Sequence, residues 1–67
     1  MTLMEQVADD LAQETIRKIA AGADESLVRQ VAEAIQNASQ TMEEAYLTAV
    51  RVRRAEARAR AVLAQNL

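Results

Sequence analysis

Sixty-seven residues make one domain at most, and a chain this short buries only about 60% of the surface its unfolded form exposes. It has no cysteine and no histidine, which excludes a disulfide or a Cys/His zinc site as a brace and leaves partner subunits as the remaining one. Alanine fills 15 positions, Phe, Trp and Pro are absent, and the net charge is −2. That is an all-α composition, neither globally basic nor carrying the run of ~18 apolar residues that a membrane span needs.

The N-terminus is acidic within its first ten residues (Glu5, Asp9, Asp10), unlike a signal or transit peptide. Thr2-Leu3-Met4-Glu5 has the form of a capping box, with Thr2 at N-cap and Glu5 at N3. From there two apolar and two polar residues alternate as far as Ile19-Ala20, with Thr15-Ile16 in an apolar slot. A repeat of four advances about 40° per repeat on a helix of 3.6 residues per turn, so the apolar stripe winds and needs two or more neighbours to cover it. A first helix is expected over about 3–21.

Ala21-Gly22-Ala23-Asp24 is the only strong break. Gly22 suits a left-handed C′ position, and Asp24 or Ser26 can cap the next helix. So short a connection implies an antiparallel hairpin.

Beyond it Val28, Val31, Ile35, Ala38, Met42, Ala45, Ala49 and Val52 follow alternating steps of three and four, a heptad seam. Asn37-Ala38-Ser39-Gln40-Thr41 is locally polar, and Thr41-x-x-Glu44 can cap a third helix. No Gly or Pro occurs there, however, and the apolar phase crosses it unbroken. The reading favoured is one long second helix over about 25–65, within a single helical-hairpin domain covering 1–67; a three-helix bundle is the weaker alternative. Lengths of ~28 and ~60 Å do not match. Residues from about 44 onward are therefore expected to lack an intrachain partner and to associate with other subunits.

Charge is segregated. Residues 1–47 carry a net −6 and residues 48–67 a net +4. Arg51, Arg54 and Arg58 share one helical face; Arg53 and Arg60 share another. The negative total, and the lack of aromatic residues among the arginines for base stacking, argue against nucleic acid. An acidic hairpin and a basic tail on one chain are complementary when copies stack, so the expected partner is self, with other helical proteins as the alternative. The interface expected comprises Val31, Ile35, Ala38, Met42, Ala45, Ala49 and Val52 of the seam, Tyr46 with its hydroxyl at the rim, and Arg51, Arg54 and Arg58.

No catalytic chemistry is expected. The usual general base and thiolate nucleophile are missing, and adjacent Glu43 and Glu44 point about 100° apart on a helix. Gly22 is the only glycine, so no phosphate-cradling loop or EF-hand spacing exists. No cofactor and no metal are expected.

The stretch Ile35-Gln-Asn-Ala38-Ser39-Gln40, then Tyr46, then Val50-Arg-Val52-Arg53, resembles the C-terminal helix of axial proteins of the flagellar basal body, such as the junction protein between membrane ring and rod. Rod and needle subunits of type III secretion systems are similar small helical hairpins. The resemblance covers about residues 31–60. It implies a long helix packed beside its copies around a secretion channel, export without a cleaved signal, and no catalytic site. The expected function is a non-catalytic, self-associating structural subunit. The alternatives are a small helical adaptor or secretion chaperone that binds a partner helix, and a designed helical bundle.

Overall fold

Three local start signals, not two, organise the chain in the computed structural model, which describes residues 1–66. The first helix, α1, spans Leu3–Ala20. Its capping box is complete. Thr2 Oγ1 accepts from the Glu5 amide at 3.1 Å, and Glu5 Oε1 accepts from the Thr2 amide at 3.1 Å. Two otherwise orphaned donors are satisfied this way. Arg17 and Lys18 lie in the last turn, where the macrodipole favours cations.

α1 stops as its sequence requires. Gly22 takes φ +117°, and the amides of Gly22 and Ala23 bond the carbonyls of Ile19 and Lys18 at 3.0 and 2.9 Å. That crossed pair is a Schellman motif, which uses up two terminal carbonyls. Asp24 then accepts from the Ser26 amide at 2.8 Å, closing the turn that leads into the second helix. Ser26 is the N-cap of α2 and its side chain makes no capping bond, so Asp24 shapes the turn and α2 starts without a side-chain cap.

The expected long second helix is two helices. α2 spans Leu27–Gln36 and α3 spans Gln40–Ala64. The break falls at Ser39, whose backbone is extended (φ −160°, ψ 109°) and whose hydroxyl accepts from the Met42 amide at 3.1 Å. The cap therefore lies two residues before Thr41, and Met42 at N3 leaves no capping box. Neither Gly nor Pro is needed, because an extended serine is an ordinary N-cap. The reason for bending is tertiary. Folding back at Ser39 lays α3 against both α1 and α2, whereas a straight helix would leave Tyr46 and Val50 uncovered. The heptad phase crosses the break because α2 and α3 both turn their apolar residues to the same core. The long helix that the flagellar resemblance implies is thus interrupted inside the matching stretch.

α3 is the common wall. It packs extensively on α1 and on α2, which meet each other much less. The α1–α3 pair is antiparallel, with Thr15 beside Tyr46 and Asp9 beside Arg53. The core is small: Ala8 and Ala12 of α1, Ala32 of α2, and Tyr46 and Val50 of α3, joined by the buried Thr15. The alanines let the helices approach closely, and the Tyr46 ring fills the centre. Leu11, Val28, Val31, Ile35, Met42, Ala45, Leu47 and Ala49 surround it, half-buried. The result is a slab with Cα extents of 46 × 29 × 13 Å.

None of the described helices is long and apolar enough to cross a membrane.

Candidate interaction surface

The expected partnerless half-helix from residue 44 onward is shorter than the sequence indicates. One side of residues 45–54 of α3 is occupied within the chain, by the core and by two ion pairs. Arg53 grips Asp9 with a two-point contact, Nε donating to Oδ1 at 2.9 Å and Nη2 to Oδ2. The Asp9 side chain is only 20% exposed. The Arg53 guanidinium beside it holds its carboxyl below the usual carboxylate range. Arg54 reaches the other way, to Glu25 in the turn before α2, at 2.7 Å, and lowers the Glu25 carboxyl in the same sense. Glu56 lies between Arg60, at 2.9 Å, and Arg53, at 3.2 Å, and is also held low.

After Glu56 the cover ends. Ala57 and Ala61 continue the line of Tyr46 and Val50 along α3 at helical spacing, yet every residue from 57 to 66 is exposed. Val62 and Leu63 are 59% and 71% exposed. Because α1 and α3 are antiparallel, this overhang lies at the same end of the slab as the start of α1. Met1, Leu3 and Val7 are exposed there as well. A groove beside them is lined by Met1, Ala45, Ala49 and Val52, with Glu5, Asp9 and Arg53 at its polar edge.

The structure scatters the interface residues read from the sequence among different environments. Val31, Ile35, Met42, Ala45 and Ala49 pack on the chain's own core. Ala38 is exposed in the turn between α2 and α3, outside any seam. Val52, Arg51 and Arg58 remain on the surface, and among the described residues neither of these two arginines has an ion-pair partner. Arg54 belongs instead to the intrachain pair with Glu25.

Tyr46 is the clearest correction. It has no exposed surface, and its hydroxyl lies 2.8 Å from Thr15 Oγ1, inside the chain rather than at a rim. A short heptad seam cannot distinguish burial against the same chain from burial against a copy. Being wholly enclosed, the ring is also closed to stacking on a nucleobase. Sequence reasoning missed the partners Asp9, Glu25 and Arg53. Thr15 carried a signal, since it occupies an apolar slot in the repeat of α1. The ion pairs span 29 and 44 positions, and no local pattern marks them.

Comparison with protein-family models, curated proteins and solved structures finds no match for this chain.

Proposed function

We propose that the protein is a non-catalytic helical subunit that associates with copies of itself through the exposed end of α3. The observation that supports this is the overhang after Glu56. There the apolar line of α3 continues as Ala57 and Ala61, with Val62 and Leu63 exposed on other sides of the same turn, and none of the described residues of its own chain covers it. A helix face of this kind is stabilised by a neighbour that covers it. Its small side chains permit close approach, and its arginines favour an acidic neighbour. A rod or needle subunit is the narrower form of the proposal, supported by the resemblance of residues 31–60.

The groove of Met1, Ala45, Ala49 and Val52 supports a second reading, an adaptor that holds a helix of another protein.

Analytical ultracentrifugation over a concentration series tests the first reading. The parent chain is expected to self-associate. A Val62→Asp, Leu63→Asp variant is expected to sediment as a monomer with unchanged helicity, because neither residue contributes to the core. A parent chain that stays monomeric overturns the first reading in favour of the adaptor.

A further inference from the structure

The self-association proposed above rests on the Ala57 and Ala61 side of α3; a different, outer side of the same helix carries a second stripe, and four charged side chains identify what that stripe meets. Asp10, Glu14, Arg51 and Arg58 are exposed, and among the described residues none of them has an ion-pair partner. The two acids lie on the outer face of α1, and the two arginines on an outer face of α3. Each pair belongs to a stripe with the same spacing. On α1 the stripe is Leu3, Val7, Asp10, Glu14, in steps of four, three and four. On α3 it is Arg51, Ala55, Arg58, Val62, again in steps of four, three and four. All eight residues are exposed, Leu3 at 76%.

We propose that the α3 stripe of one copy docks antiparallel on the α1 stripe of a second copy, so that Glu14 meets Arg51, Asp10 meets Arg58, and Leu3 meets Val62. The spacing reads the same in both directions, so an antiparallel alignment brings all four levels into register at once. Glu14 lies opposite Arg51, Asp10 opposite Ala55, Val7 opposite Arg58, and Leu3 opposite Val62. The long stem of Arg58 lies over Val7 while its guanidinium reaches Asp10, three positions along. A parallel alignment would set Asp10 opposite Arg58 but would place Leu3 against Arg51 and Glu14 against Val62, a charge on an apolar side chain at both ends of the stripe. Steps of three and four are those by which helix ridges interlock at a shallow crossing angle. The inner face of α1 already holds its own α3 antiparallel, through Thr15 and Asp9, so the second copy repeats that arrangement on the outer face.

The test is a charge swap in the full chain, read by sedimentation at low salt. One variant carries Asp10→Lys and Glu14→Lys; the other carries Arg51→Glu and Arg58→Glu. None of these side chains has a hydrogen bond or ion pair within the described chain, so both variants are expected to keep the parent's helicity and melting temperature. Each alone sets like charges face to face and is expected to weaken self-association about tenfold or more. An equimolar mixture restores both contacts and is expected to associate as the parent does, as is the variant carrying all four changes. If the Asp10→Lys, Glu14→Lys variant associates like the parent, the α1 stripe is not the receiving surface, although self-association itself stands. If each variant is weakened and the mixture fails to recover, the pairing is wrong. If the parent never associates, this proposal fails together with the function on which it rests.

Discussion

Tyr46 OH and Thr15 Oγ1 lie 2.8 Å apart in the centre of the slab, and the direction of their hydrogen bond is fixed. Thr15 has one hydroxyl proton, and the Leu11 carbonyl, which can only accept, lies 2.8 Å from the same oxygen. Thr15 therefore donates to Leu11, and Tyr46 donates to Thr15. The chain runs phenol to threonine to backbone, with each buried side-chain oxygen satisfied.

That direction predicts unequal costs for its two removals. Tyr46→Phe removes a donor and strands none, since Thr15 keeps its bond to Leu11, so about 1 kcal/mol should be lost. Thr15→Val keeps the volume but leaves the Tyr46 proton buried without an acceptor, at about 1–3 kcal/mol. The double variant should cost less than the sum of the two. Urea unfolding of the four chains measures this, and equal single costs that add would mean that the hydroxyls do not interact as described.

The Asp9–Arg53 contact predicts a response to acid. Asp9 titrates lower in the folded chain than in the unfolded one, so the unfolded chain takes up the proton first as pH falls. The stabilisation is complete above the ordinary aspartate value of about 4 and is lost as pH falls through the depressed folded value. Glu25 and Glu56 act in the same direction. Asp9→Asn should cost up to about 1 kcal/mol at neutral pH, as partly exposed pairs do. It should also flatten the fall in stability below pH ~4. Thermal melts of parent and variant across that range test both effects.

Gly22 predicts a cost without a clash. A Cβ built there meets nothing within 4 Å, so the penalty of Gly22→Ala is backbone conformation alone, about 1–2 kcal/mol at a positive φ. Gly22→Val should cost more than Gly22→Ala, because a branched side chain tolerates that φ less well. Denaturation midpoints that do not move would show that the turn can be built with φ negative.

Ser39 predicts which residues can end one helix and start the next. Ser39→Ala removes the cap on α3 and should cost about 1 kcal/mol, whereas Ser39→Asp should keep it. Ser39→Pro should cost more than either. Its ring forbids φ −160°, and it deletes the amide that bonds the Ile35 carbonyl at 2.9 Å. Circular dichroism and unfolding midpoints of the three variants rank the effects.

What was legible in the sequence was local. The capping box at Thr2 and Glu5, the stop at Gly22 and the turn closed by Asp24 are each decided within five residues. The break at Ser39 was readable only as an alternative. Its decisive term is the burial of Tyr46 and Val50 against Ala8, Ala12 and Ala32, which lie far away in sequence. Of the expected interface residues, Arg51, Arg58 and Val52 are exposed on the chain. Tyr46 and Arg54 are taken up within it instead, by Thr15 and Glu25, which lie 31 and 29 positions away where no local pattern reaches.

The common wall formed by α3 also dictates the order of folding. α1 and α2 have little contact with each other, so neither has a partner to fold against before α3 arrives. A helix of ten residues alone is marginal in water, and one of eighteen draws most of its stability from packing of its apolar face. The slab should therefore close in one cooperative step, with α3 recruiting both neighbours at once. Its backbone amides should then fall into two classes. Hydrogen-bonded amides in the interiors of α1, α2 and residues 44–54 should exchange with solvent only by global opening. Those of residues 57–64 should exchange by fraying, and slow down only when another copy covers them.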